Sequence, residues 1–178
     1  MDLKLKIKDI EKKFNVKLQR NVTSLGLDTA TKTGYCIAKT NTTYINFDIG
    51  YINLHMNEIK DRVLRNELRY EEIYQQFKNL IKKEYIVVVE DVFHSFNAQT
   101  TILLSRIGAI AWTLSKEKRC KNIIWKTAVQ ARKMLNLPCN KKKEIITKEV
   151  NKRLKTKIKN ADIVDAIVLS IVGLICEE

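Results

Sequence analysis

From residue 22 onward the apolar positions fall into short runs first and long periodic ones later. Residues 22–27, 34–39 and 42–52 are β-like segments joined by short turns, the pattern of an antiparallel meander. Residues 58–83 carry Ile59, Val63, Leu64, Leu68, Ile73, Phe77, Leu80 and Ile81 at roughly helical spacing, which predicts a helix of several turns. The run Tyr85-Ile86-Val87-Val88-Val89 is continuous and largely β-branched, as in a strand covered on both faces, and it ends at Glu90. Residues 100–118 read as a helix, 122–125 as a short buried strand, and 127–135, 141–154 and 162–176 as further helices. The order βββαβαβ followed by helices predicts an α/β fold. Its mixed sheet would have five strands, three antiparallel and then two parallel, with helices on both faces.

Residues 1–21 lie outside that unit and place Ile7, Ile10, Phe14 and Leu18 among many lysines. They suit a peripheral amphipathic helix, a DNA-contacting arm or a partner-binding segment, so the expected division is a basic extension, 1–21, and a domain, 22–178. Pro138 is the only proline and glycine is scarce, so no flexible linker divides the rest, and 178 residues suffice for one sizeable core.

Charge narrows the class of partner. Thirty-three Lys and Arg against twenty Asp and Glu leave a net charge of +13. That excess favours a polyanion, nucleic acid first, although a solvated lysine-rich surface gives the same count. The cysteines, Cys36, Cys120, Cys139 and Cys176, form no C-x-x-C pair and suit reduced thiols rather than a zinc site. Every apolar run is too short to span a bilayer, and the N-terminus alternates lysine with apolar residues instead of presenting a signal core. The expectation is a cytoplasmic protein, of a bacterium or a phage-infected cell, with no membrane partner.

Four carboxylates stand out against this background. Asp28 and Glu90 each end an apolar strand, where a side chain reaches past the sheet edge into a cleft, although a turn or cap role would also place an acid there. Asp162 and Asp165, three residues apart, share one face of the last helix. They could serve its N-terminal dipole, but the helix continues as Ile163-Val164 and Ala166-Ile167-Val168-Leu169, apolar nearly all round and therefore interior. Buried carboxylates repel one another and lose hydration unless a cation neutralises them. Magnesium, an oxygen-seeking ion, would do so, and two such ions can support the attacking and leaving oxygens of a phosphodiester. His55 and His94 are the only histidines, and no Gly-rich phosphate loop or Ser-His-Asp set competes for the chemistry.

These motifs resemble a known family. Leu25-Gly26-Leu27-Asp28 with Thr33-Gly34-Tyr35, then Val87-Val88-Val89-Glu90-Asp91-Val92-Phe93, then Asn160-Ala161-Asp162-Ile163-Val164-Asp165-Ala166 are similar, in order and spacing, to the acidic motifs of RuvC-type Holliday junction resolvases. The resemblance implies a ribonuclease H-like fold, a homodimer, Mg2+ dependence with Mn2+ able to substitute, two ions per site, and paired nicks across a four-way junction. It makes Asp28, Glu90, Asp162 and Asp165 the catalytic metal ligands. Phe93 matches an aromatic inserted at the junction centre, while an ordinary core phenylalanine would read the same way. Lys126, Lys141, Lys142 and Lys143 fall where DNA contacts are expected.

The chain also departs from the family. Thr29-Ala30 replaces the usual Pro-Gly, and residues 131–140 replace a glycine-rich stretch. These changes point to a divergent or phage-type member that also tolerates forks and flaps. Two rival functions remain: a ribonuclease H on RNA–DNA hybrid, with Glu67, Glu71 or Glu72 as its helix carboxylate, and a non-catalytic DNA-binding protein of the same fold.

Overall fold

The computed structural model describes residues 2–30, 32–53, 56, 58–91, 98–139 and 141–176. The elements are β1 (Asp2–Lys6), α1 (Ile7–Phe14), β2 (Thr23–Asp28), β3 (Lys32–Thr40), β4 (Tyr44–Asn53), α2 (Arg62–Leu80), β5 (Ile86–Glu90), α3 (Ala98–Glu117), β6 (Asn122–Lys126), α4 (Ala128–Met134), α5 (Lys143–Leu154) and α6 (Ala161–Val172). The meander and the two parallel strands form as the pattern predicts: β2, β3 and β4 pair antiparallel, and β5 and β6 extend the sheet in parallel from β2.

The expected count of five strands is corrected to six among the described residues, in the order β1-β4-β3-β2-β5-β6. The added strand comes from the N-terminal segment. In Asp2-Leu3-Lys4-Leu5-Lys6 the leucines pair opposite Phe47 and Ile45 of β4 and pack on the core, whereas the lysines stay exposed. Lys4 lies over the Tyr44 ring, 4.5 Å from its centroid. Lysine on an outer strand discourages further pairing, so the same residues that complete the sheet also protect its edge. In α1, Ile7, Ile10 and Phe14 are fully buried, and the helix ends at Asn15 in the left-handed conformation.

The period of two along each strand separates the two faces of the sheet. Leu25 and Leu27 of β2 and Val87 and Val89 of β5 face α2 and α3, where they meet Ile73, Phe77, Ile107, Ala111 and Leu114. Ile86 and Val88 face the other way, into a larger core built with α1, α4, α5 and α6. The same alternation places Asp28 and Glu90 on the α6 side of their strands. Helix starts follow their caps: Asp61 accepts from the Val63 and Leu64 amides at 2.8 and 2.9 Å, so α2 begins later than the apolar periodicity alone suggests. No helix among the described residues is long and apolar enough to cross a membrane.

Candidate active site

The site forms because α6 lies directly against β2 and β3. Two glycines permit this approach. A β-carbon on Gly26 would overlap the Ala166 carbonyl and the Ser170 amide, and one on Gly34 would overlap the Asp162 carbonyl. Gly34 pairs across the ladder with Asp28, so its contact with α6 brings the helix's first turn to the end of β2. On the other side of β2, Leu27 aligns with Val89 in the parallel ladder, which sets Asp28 beside Glu90. Three elements thus deliver four carboxylates to one end of the sheet.

The capping role open to Asp162 falls to another residue. Asn160 caps α6, accepting from the Asp162 and Ile163 amides at 2.8 and 3.2 Å. The Asp162 carboxylate is therefore available to face the strand ends, although the helix N-terminus still favours its charge.

A lysine sits among these acids. Lys143 Nζ lies 3.0 Å from Asp162 Oδ1, 3.4 Å from Asp165 Oδ2 and 4.0 Å from Asp28 Oδ2. Burial works against the charge of this ammonium, but the attraction of Asp28 and Asp165 and the hydrogen bond to Asp162 outweigh it and hold the group above the ordinary lysine range. Asp28 shows the opposite strain. Burial, then hydrogen bonding and repulsion from Glu90, push its carboxyl up to about 10, with Lys143 pulling the other way. Its Oδ2 is buried and has no hydrogen-bond partner.

Asp165 has a second cation. Arg132 of α4 donates through one terminal nitrogen to both of its oxygens, at 2.8 and 3.0 Å, and both side chains are buried. Arg132 is a site residue that the acidic motifs alone do not point to. A signal was present: at helical spacing Arg132 shares the inward stripe of Ala128, Ala131 and Leu135, a basic residue on the packed face of a helix.

The donor set consists of carboxylate oxygens, which suits a hard divalent cation, and the Asp28 oxygen without a hydrogen bond is a place where such a cation would repair a deficit. Among the described residues, no three Asp, Glu, His or Cys groups are already gathered about a common metal point. The point shared by Asp28, Asp162 and Asp165 is the Lys143 ammonium, carried on a half-exposed stem.

The lysines expected to contact DNA divide. Only Lys143 reaches the acids. Lys141 and Lys142 are exposed ahead of α5, with Lys142 as its N-cap residue, and Lys126 lies across the ladder from Glu90. Phe93, His55 and His94 lie outside the described residues. Glu67, Glu71 and Glu72 are on α2, which packs on the opposite face, and Glu72 accepts from Gln76 at 2.7 Å.

The family model described as crossover junction endodeoxyribonuclease RuvC matches residues 24–173. Among solved structures, that of Thermus thermophilus RuvC is similar with a TM-score of 0.64 and 14% identity, covering 84% of this chain and 92% of that one. The T. thermophilus RuvC in complex with a Holliday junction substrate is similar with a TM-score of 0.61 and 13% identity, covering 84% and 90%. At such identity the likeness speaks to the fold. No curated protein sequence matches significantly.

Proposed function

The chain belongs to the RuvC family of crossover junction endodeoxyribonucleases, and on that premise we propose that it resolves four-way DNA junctions by metal-dependent nicking at Asp28, Glu90, Asp162 and Asp165. The observation that carries this reading is the convergence of four carboxylates from β2, β5 and α6, with one buried oxygen left without a hydrogen bond. A fold gains no stability from that arrangement. It makes sense as a seat for cations.

Asp28, Glu90, Asp162 and Asp165 would hold Mg2+, or Mn2+ in its place, as a pair of ions. When bound, these supply Lewis-acid stabilisation of the attacking and leaving oxygens. The protein's own groups do the remaining work. Arg132 fixes the orientation of Asp165 through both oxygens, so that this ligand does not turn away as substrate arrives. Lys143 balances the acids before substrate binds and, on its half-exposed stem, carries positive charge to a phosphate lying over the cluster. Lys126, Lys141 and Lys142 add phosphate contacts that position DNA without reading its bases, and Phe93 stacks at the opened branch point.

Two coordinated nicks at a two-fold substrate are most simply made by a homodimer acting in the cytoplasm. Ile102 and Trp112 on α3 are half-exposed, although that helix already buries Ile107, Ala111 and Leu114 against the sheet. The test is a panel of labelled four-way, forked, linear and RNA–DNA substrates, with Mg2+ or with chelator. Metal-dependent paired nicks in the junction are expected. Preferential cutting of the RNA strand, or cutting in chelator, overturns the reading.

A further inference from the structure

Beside the acids lies a groove that no part of the site accounts for. It has a volume of about 900 Å3 and runs between α5 and the segment leading into α6. Its walls carry Lys143, Lys148, Lys152, Lys155, Lys157 and Lys159, against a single carboxylate, Glu144. Lys143 belongs at once to this groove and to the acidic cluster, so the groove opens beside the proposed cutting point.

The lysines are displayed by a built framework. Lys148 and Lys152 are four residues apart on α5 and share a face. After α5 the chain turns at Lys155, in the left-handed conformation, and then alternates: Lys155, Lys157 and Lys159 are exposed, while Thr156, Ile158 and Asn160 turn inward. Each inward residue is held. The Asn151 side chain donates to the Ile158 carbonyl at 2.7 Å and accepts from the Ile158 amide at 2.8 Å and the Thr156 hydroxyl at 2.6 Å. Ile158 packs on the larger core, and Asn160 caps α6.

A two-residue period places successive outward lysines roughly 7 Å apart, a step comparable to that between consecutive phosphates of one strand. Among the described residues, Lys148, Lys152, Lys155, Lys157 and Lys159 form no ion pair with a carboxylate. Five like charges on a pinned scaffold repel one another and gain from a polyanion.

We propose that this groove holds the phosphate backbone of the duplex arm that adjoins the nicked phosphodiester, with Lys155, Lys157 and Lys159 tracking one strand and Lys148 and Lys152 flanking it. The proposal rests on the nuclease reading for the nature of the polyanion, but it is tested by binding alone. Lys155, Lys157 and Lys159 are changed together to Ser, and in a second protein Lys148 and Lys152 are changed to Ser. The control removes equal charge at the far end of the sheet, as Lys82→Ser, Lys83→Ser and Lys121→Ser. Affinity for linear duplex DNA, four-way DNA and double-stranded RNA is measured against salt in chelator, beside melting temperature and an all-Arg version of the loop.

The loop triple is expected to lower the slope of log affinity against log salt by about two to three units on both DNAs, with unchanged melting. The all-Arg version restores it and the far-end control leaves it in place. Equal losses in loop and control proteins, or a slope unchanged in both groove variants, overturn the proposal, and a larger effect on RNA than on DNA overturns its occupant. A protein that binds through the groove yet cuts nothing separates failure of the nuclease reading from failure of this one.

Discussion

The two faces of the sheet are built for different ends. On the α6 side the helix is pressed onto glycine positions so closely that no β-carbon fits, and at the end of that contact stand four carboxylates, a buried arginine and a half-exposed lysine. On the α2–α3 side a smaller apolar core does the packing, while Val63, Leu64, Ile102 and Trp112 remain substantially exposed. One face therefore gathers converging charges beside tight packing, and the other gathers no carboxylate cluster and leaves large apolar side chains exposed. Under the proposed function, chemistry falls to the first face and the proposed pairing of two copies to the second.

The largest expected effect of breaking this contrast is on the acids. Glu90→Gln should reduce nicking at least about a thousandfold, the consequence of losing several kcal/mol of transition-state stabilisation at a metal site, while junction affinity is kept. Rates under single-turnover conditions beside binding isotherms would check it. Asp28→Asn should lose activity equally but melt no earlier than wild type in chelator. The Asp28 carboxyl is pushed by burial from 3.8 up to about 10 in the fold. The stability linked to its protonation is thus fully present below the unfolded value and is lost as pH rises toward the folded one. The advantage of Asn should accordingly widen from mildly acidic to alkaline pH, as read by thermal melts across that range.

Next comes the buried ion pair. Arg132→Ala removes the buried partner of Asp165, leaving it the half-exposed Lys143 at 3.4 Å, and should cost about 3–5 kcal/mol of folding stability. In a double-mutant cycle with Asp165→Asn, measured by urea unfolding, the losses should be strongly non-additive. Arg132→Lys should recover stability in part, because the lysine side chain is one bond shorter and its ammonium does not reach as far as the guanidinium's terminal nitrogen.

A smaller effect compares one glycine from each face. Gly26→Ala forces α6 off β2 against backbone atoms and should cost about 1–3 kcal/mol, with a fall in nicking as Asp162 and Asp165 move. A β-carbon on Gly108 of α3 would instead meet the Trp125 ring, 3.0 Å away and partly exposed, which is free to shift. Gly108→Ala should change stability by about 1 kcal/mol or less, because helix propensity offsets the crowding. Equal costs for the two would dissolve the contrast between the faces.

The smallest effect on folding is expected on the exposed side of α3. Ile102→Lys should leave stability within roughly 0.5 kcal/mol yet shift sedimentation toward monomer, if that face joins two copies. A dimer unaffected by this change would place the interface elsewhere.

Much of this was legible in the sequence for particular physical reasons. Asp28 and Glu90 could be read because a strand's period of two and its apolar run both end there. Asp162 and Asp165 stood out because their helix is otherwise apolar all round. Strand β1 was not read, because its short alternation of leucine with lysine runs straight into the helical stripe of Ile7, Ile10 and Phe14, and it shows as a strand only once β4 is present to pair with it. Arg132 was overlooked because its meaning depends on Asp165, thirty-three residues away, and a lone basic residue in a helix ordinarily snorkels to solvent. The placement of Lys143 among the acids, rather than facing outward for phosphate, also needed the tertiary approach of α5 to α6. The family match begins at residue 24, yet residues 2–14 supply an edge strand and three of the buried core side chains.

The central claim is that four converging carboxylates form a cation-dependent cutting site for branched DNA. Its most direct test is single-turnover cleavage of a labelled four-way junction by the wild-type protein and the Glu90→Gln protein, titrated with Mg2+ from a chelated start. Paired nicks are expected to appear only as Mg2+ is added and to vanish in the variant despite intact binding. Cleavage that proceeds in chelator, or at the wild-type rate without Glu90, would contradict it.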